Sequence, residues 1–560
     1  MIQHRFRSGD PTHQRELSRV INGSANSIRH CVLMLSLCLV VWVAYLPSTF
    51  AHNQWIYSWD SAAYIETANS IHAGRGLMQR VIHDFGDEIW EPISWWPPGY
   101  PILIATLQMT GLSAMVASLT VSVGAAGLSV ILLTLVWLRF FDWRVALFGV
   151  LTLISMPAFL QISTQSMSDS SYLAFVVASI GCLSLWSTKS HDNRSLLFTA
   201  GLFAGASWTV RNVGVALIFA TLTFLIIHCL WLKYRDVTKI CIAWLVGVSV
   251  CGLPLIVRNL VTFGHINPYE MPPSELTLWS NLDRTVDLLI VDMTTLSARW
   301  ADEIDQKFMI PVYAVIAGLI AWKLLKNVKL SSLPAVLRSH RIQSLLIGYI
   351  FIYLGIVIAA RTKYRWGELI DPRHLVQIYW VIWLSFALFV KVSVRWLDVP
   401  RGAITYVLVA IFACTAGLQA NRQIGRLVKP VEKQWDSVDS IIGREATNFL
   451  AANVKNDQIV LATRADLLRI FADINARKLP PVSQYDFLQP LTLQELRRLG
   501  DSGFLWGLVI DDAQGAKQGA YDTLVKDILE APEKYPELQL IQINGPTIIL
   551  QYVGNGVRRS

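Results

Sequence analysis

Charge is scarce in this sequence. Only 16% of its 560 residues are Asp, Glu, Lys or Arg, against about 25% in ordinary soluble proteins. That scarcity excludes a soluble multidomain enzyme and a disordered chain. Cysteine is sparse as well. Cys31, Cys38, Cys182, Cys229, Cys241, Cys251 and Cys414 all sit in apolar runs and form no Cys-x-x-Cys pair. A disulfide scaffold is excluded, and these residues read as small buried hydrophobes. No P-loop, G-x-G-x-x-G or G-x-S-x-G stands in a fitting context, and no H-E-x-x-H or paired-histidine spacing occurs. No metal or cofactor is expected, although His83, Asp84, Asp87, Glu88 and Glu91 are near enough in sequence to offer a metal site. Internal repeats and low-complexity tracts are absent too.

Apolar residues are what the chain has in excess, at 53%. A polar stretch with five arginines, 1–30, precedes an apolar run at 31–50. Both are longer than a cleavable signal peptide allows, so the run reads as a first transmembrane helix with a cytoplasmic N-terminus. Apolar segments of spanning length recur near 114–138, 145–162, 171–187, 196–210, 213–232, 240–257, 309–325, 344–360, 375–390 and 403–420, giving about eleven spans. The pair around Arg211 decides the parity, because one long helix there would invert everything downstream.

The formal net charge of +8 follows topology rather than nucleic acid. From Asn421 onward 17 basic residues balance 17 acidic ones, and the rest of the chain holds 31 basic against 23 acidic. With eleven spans, the segments assigned to the cytoplasm hold 20 of those 31 basic residues and only 6 acids. This asymmetry fits the positive-inside rule and puts the tail outside.

The expected fold is therefore a polytopic α-helical membrane protein with a small C-terminal extracytoplasmic α/β domain. Residues 1–30 are cytoplasmic, 31–425 form the membrane module with outer loops 51–113 and 258–308, and 426–560 form the soluble domain. The stretch 100–112 is apolar but short, which suits a re-entrant or interfacial segment. In the tail, 438–454 and 465–476 read as helices and 458–462 and 504–510 as strands. A terminal hairpin is expected over 539–552.

Ionisable and aromatic residues gather on the outer side. Asp60 follows the first helix closely, flanked by Trp55, Trp59 and Tyr64. A carboxylate there suits a general base, or equally a helix-cap or solvated loop residue. Asp169 is the single ionisable residue before the fourth span. It can act in chemistry or serve as a helix-start acid. Arg211 lies in an apolar stretch, where a charge marks function or snorkels to the surface. Arg258, Arg361, Lys363, Arg365 and Arg373 break the positive-inside bias, which an anionic ligand such as a lipid phosphate would explain, as would headgroup contact. Trp95-Trp96-Pro97-Pro98-Gly99-Tyr100-Pro101 is a stiff aromatic knot that can shape a groove or an interfacial belt.

Taken in order, these motifs resemble the GT-C superfamily of integral-membrane glycosyltransferases. The likeness is greatest to the bacterial group of protein O-mannosyltransferase-like and lipid A aminoarabinose transferase-like proteins. The D-x-x-x-Y of that pattern is matched by Asp60 and Tyr64, and its Pro-Pro-x-Tyr-Pro by Pro97 to Pro101. Asp169 with Tyr172 matches the acid before the fourth span. Pro254, Arg258, Asn259, Phe263 and Gly264 match a Pro…Arg-Asn…Phe-Gly run. Thr209-Val210-Arg211 stands for a Thr-Arg motif with one residue inserted, and Pro372-Arg373-His374 for Pro-Arg-Tyr. The Glu-Lys typical of the aminoarabinose group is missing near Trp95, and the tail lacks the Trp-Trp-Asp of oligosaccharyltransferases.

The resemblance implies transfer of a sugar from a polyprenyl-phosphate donor to an acceptor hydroxyl, with inversion, on the outer face of a bacterial inner membrane. The acceptor would be a glycolipid, a polymer or a protein. It implies Asp60 as base and Asp169 as a positioning or sharing acid. Arg211, Arg258 and Arg373 would bind the donor phosphate, and Tyr64, Trp96, Pro98, Tyr100 and His374 would line the substrate groove. A transporter or lipid flippase for an anionic glycolipid is the alternative, but coupling charges at mid-membrane and inverted repeats, its usual marks, are not apparent. A non-catalytic scaffold is the third reading.

Overall fold

The computed structural model describes residues 29–47, 59–82, 84–189, 193–231, 237–268, 273–294, 341–364, 370–395, 401–428, 443–479, 491–511, 523–541 and 547–554. Helix α1 is Arg29–Pro47. It is followed by α2 (Trp59–His72), a short antiparallel hairpin of β1 (Met78–Arg80) and β2 (Trp90–Pro92), and α3 (Gly99–Gln108). The membrane module continues with α4 (Ala114–Phe140), α5 (Trp143–Ile154), α6 (Pro157–Thr164), α7 (Asp169–Lys189), α8 (Arg194–Val210), α9 (Val215–Trp231) and α10 (Val237–Phe263). It closes with α11 (Leu278–Thr294), α12 (Arg341–Lys363), α13 (Pro372–Arg395) and α14 (Arg401–Val428).

Among the described residues seven helices are long and apolar enough to cross a membrane, or eight if the bent pair α5–α6 is one span. Length alone therefore does not reach eleven. Helices α8 and α9 fall just short at 17 residues each, and the expected span at 309–325 lies outside the described residues. The expected span at 145–162 is bent by 64°. Pro157 causes the break: it lacks an N–H for the helix ladder, and Met156 before it is extended at ψ 133°. The chain also breaks at Arg211, which is extended (φ −150°, ψ 130°) ahead of a short 3₁₀ turn at Asn212–Gly214.

The tightest helix crossing is α8 on α10. A Cβ on Gly201 would stand 2.0 Å from the Trp244 carbonyl oxygen, and one on Gly247 would stand 2.1 Å from that of Phe198. Only glycine permits this backbone contact, the usual route to close packing where no water drives association. One continuous core runs through the helices, with Trp137, Trp186, Trp244 and Trp380 fully buried.

The C-terminal region is a sheet with helices on both faces. Its elements are α15 (Arg444–Asn453), β3 (Ile459–Ala462), α16 (Ala465–Phe471), β4 (Ala476–Lys478), α17 (Leu493–Asp501), β5 (Leu505–Ile510), α18 (Thr523–Glu530), β6 (Leu538–Ile541) and β7 (Ile548–Tyr552). The strand order is β4-β3-β5-β7-β6. The first three strands are parallel and the last two join antiparallel. Alternation divides the core: Leu461 and Leu508 face α17 and α18, whereas Val460, Trp506 and Val509 face α15 and α16. The helix expected to run to 476 stops at Phe471. Asp473 takes a left-handed conformation (φ 54°), and the chain turns there into β4. The residues expected to link the terminal hairpin, 542–546, lie outside the described residues.

Candidate active site

Four helix boundaries meet at one end of the helical layer, and each brings a charged side chain. Asp60 is in the first turn of α2 and is 31% exposed. Its Oδ1 accepts a 3.0 Å hydrogen bond from the Trp96 indole N–H, and its Oδ2 lies 3.8 Å from the Arg373 guanidinium. Arg373 is in the first turn of α13 and only 5% exposed. Asp371 caps that helix by accepting from the Arg373 N–H at 2.9 Å, and Pro372 at the first position fits the same start.

Asp169 is the first residue of α7 and is 1% exposed. Its carboxylate does not turn back to cap the helix. It pairs with Arg211, which the break between α8 and α9 releases from helical geometry. Apart from this pair, neither Asp169 oxygen has a hydrogen-bond partner among the described residues.

Hydroxyls hold the loop before α7. Ser118 and Ser122, one turn apart on α4, donate to Ser166 Oγ at 2.8 Å and to the Met167 carbonyl at 3.1 Å. Tyr100 donates to the Ser118 carbonyl at 3.0 Å and lies 2.7 Å from Ser122 Oγ. Tyr64 Oη lies 3.1 Å from Ser168 Oγ. Tyr64 also meets Tyr100 and Trp96 edge-on, with ring centroids 5.0 and 6.3 Å apart. Burial, and then the nearby Asp60 charge, push the Tyr64 hydroxyl above its ordinary value, so it stays neutral.

The proline knot is explained by a close approach. A Cβ on Gly99 would stand 2.6 Å from the Thr209 carbonyl oxygen, so α3 starts against the end of α8, with Pro98 capping it. Trp96 is thereby held beside Asp60. His374 is buried behind Arg373. Its Nδ1 accepts from the Asp371 N–H at 3.1 Å, and its Nε2 lies 3.0 Å from Arg361.

Of the residues expected from the sequence, Asp60, Tyr64, Trp96, Tyr100, Asp169, Arg211, Arg373 and His374 are linked by contacts. Arg258 has a different setting. It donates to the Ile93 carbonyl and to Asn259 Oδ1, and packs over the Phe263 ring. It therefore anchors the loop leading to Trp96. Arg365 and His83 lie outside the described residues. Among the described residues no group of three or more His, Cys, Asp or Glu is placed to hold a metal ion.

Sequence reading missed the serine network and Gln377, whose side-chain amide donates to the Asp169 carbonyl at 3.2 Å. The signal was present: Ser118 and Ser122 lie at i and i+4 of an apolar helix, on one face. Removing one of the site's hydrogen bonds gives a direct check. Trp96→Phe keeps an aromatic ring but loses the N–H on Asp60. A hydrogen bond to a charged group contributes about 1.5–3 kcal/mol to stability, so the thermal midpoint of the variant in detergent is expected to fall by a loss of that size.

No family model and no curated protein matches this sequence. Solved structures do. The archaeal oligosaccharyltransferase AglB from Archaeoglobus fulgidus, in complex with an inhibitory peptide and a dolichol-phosphate, matches 94% of this chain and 75% of its own at TM-score 0.50 and 11% identity. ArnT from Cupriavidus metallidurans bound to undecaprenyl phosphate matches 94% of this chain and 99% of its own, at TM-score 0.48 and 14% identity. The Pmt1-Pmt2 protein O-mannosyltransferase complex of S. cerevisiae matches 41% of this chain at TM-score 0.30. The chain shares its fold with these structures of the Archaeoglobus fulgidus oligosaccharyltransferase.

Proposed function

We propose that this protein is a glycosyltransferase that moves a sugar from a polyprenyl-phosphate donor to an acceptor hydroxyl on the outer face of the membrane. The observation that carries the reading is the Asp60 carboxylate, partly exposed and 3.8 Å from the buried Arg373 guanidinium. A base and a phosphate-neutralising cation side by side are what such a transfer needs. Asp60 takes the proton of the acceptor hydroxyl as its oxygen attacks the anomeric carbon. Arg373 balances the charge that develops on the departing lipid phosphate, with the 211 and 361 guanidinium groups farther back. Asp169 is held by Arg211, which leaves one carboxylate for the chemistry. This supports a single displacement and hence inversion rather than the two-carboxylate double displacement. A dolichol-phosphate occupies the archaeal protein of the same fold, and a lipid phosphate suits a cationic site at a membrane surface. The positive-inside asymmetry supports the outer face and an extracytoplasmic α/β domain. We place the protein in a bacterial inner membrane, with a glycolipid, polymer or protein as acceptor.

The test is transfer from radiolabelled polyprenyl-phosphate sugars in proteoliposomes supplied with envelope lipids and proteins. The expected result is label moving from the donor to an acceptor, with the anomeric configuration inverted. Label crossing the bilayer with its donor bond intact would instead establish the flippase alternative.

A further inference from the structure

Glu66 is a buried charge in α2 that the proposed transfer does not use. It stands six residues after Asp60, about 9 Å along the helix axis and about 120° around it. Its carboxylate meets Arg469 of α16 at 2.8 Å, and the two side chains are 6% and 1% exposed. Burial pushes the Glu66 carboxyl above its ordinary value, and the Arg469 and Arg80 charges oppose that push. A pair this dry is weak support for stability, because desolvation offsets much of its attraction.

The α/β region also grips the segment that follows α2. Arg80, at the end of β1, pairs with Asp473 and donates to the Ile474 carbonyl at 3.1 Å. The Lys478 N–H donates to the Ile82 carbonyl at 3.1 Å. Arg477, 2% exposed, donates to the carbonyls of Asp84, Gly86 and Glu88. Phe85 joins the core beneath the sheet, and Arg498 donates to its carbonyl at 2.8 Å. One body therefore holds both the helix that carries Asp60 and the segment that leads to Trp96.

We propose that Glu66 and Arg469 are positioning residues through which the α/β region sets the rotation of α2, and so the direction in which Asp60 faces Trp96 and Arg373. Its catalytic consequence rests on the transfer reading above; its structural consequence does not. An apolar pair of equal volume would fill the same space but lose the 2.8 Å contact that ties Glu66 of α2 to Arg469 of α16.

The test compares the full-length wild type with Glu66→Met/Arg469→Met, which leaves no orphaned charge, and with Arg469→Lys, which keeps the pair. Hydrogen exchange and steady-state transfer are both read. In the double variant, amides 60–66 are expected to exchange at least about tenfold faster while α4 is unchanged. Its kcat is expected to fall at least about tenfold, with the KM for the lipid donor within about twofold of wild type. Arg469→Lys should stay close to wild type in both. Unchanged exchange at 60–66, equal acceleration in α4, or an unchanged kcat would each overturn the proposal. If the double variant does not fold, Glu66→Asp, one methylene shorter, is read in the same way. If the wild type transfers sugar from no lipid donor, the transfer reading fails, and the exchange comparison still decides the positioning role.

Discussion

Asp60→Asn is expected to lower sugar transfer by about a thousandfold, within the 10²–10⁴ range of positioned acid–base catalysis. The substitution is nearly isosteric. The amide oxygen of Asn can still accept from the Trp96 N–H that now sits 3.0 Å from Oδ1, so the start of α2 should keep its shape. What is lost is the proton acceptor and the negative charge beside Arg373. That charge lies 3.8 Å from the guanidinium, so its removal should leave polyprenyl-phosphate binding intact or stronger. The two outcomes are measured separately, as turnover of labelled donor and as binding of the sugar-free lipid phosphate. Wild-type turnover in the variant would remove Asp60 as the base. Loss of binding together with turnover would show that the residue shapes the site instead of reacting in it.

Arg211→Met is expected to destabilise the protein more than any other single change at the site. It leaves the Asp169 carboxylate, 1% exposed, with no partner in a dry interior. Removing one member of a buried pair costs about 3–5 kcal/mol, a large part of a typical total of about 5–15 kcal/mol. Pairing it with Asp169→Leu should recover most of the loss, because the orphaned charge is then gone. The check is the thermal midpoint of wild type, single and double variants in the same detergent. An unchanged midpoint for Arg211→Met would show that Asp169 finds another partner or is neutral when folded.

Much of this architecture was written in hydropathy and charge. Among the described residues helices stand at the apolar runs, and the break at Arg211 falls where a charge interrupts two short runs. The acids and most of the cations of the candidate site stood out in the sequence because ionisable residues are rare in so apolar a chain. Three features were not legible. The bend at Met156 depends on Pro157, which a sliding hydropathy window averages away. Strand β4 is three residues long and exists through its parallel pairing with β3, a tertiary effect. The Glu66–Arg469 pair joins residues about 400 positions apart, and nothing local marks either one. Arg258 shows the opposite difficulty: its motif suggested an anion, while its guanidinium supports the backbone before Trp96.

The hydroxyl network around the α7 start carries no charge of its own. Ser118, Ser122, Ser166, Ser168, Tyr64 and Tyr100 are linked to one another or to the loop backbone by O–H···O contacts. Serine does not titrate in water, and free tyrosine does so only near pH 10. The floor of the site is therefore a frame without protons to gain or lose across the range in which carboxylates change charge. An acid-side change in a transfer rate would then point to the carboxylates, those of the candidate site and the buried Glu66 that pairs with Arg469, and not to this hydroxyl frame.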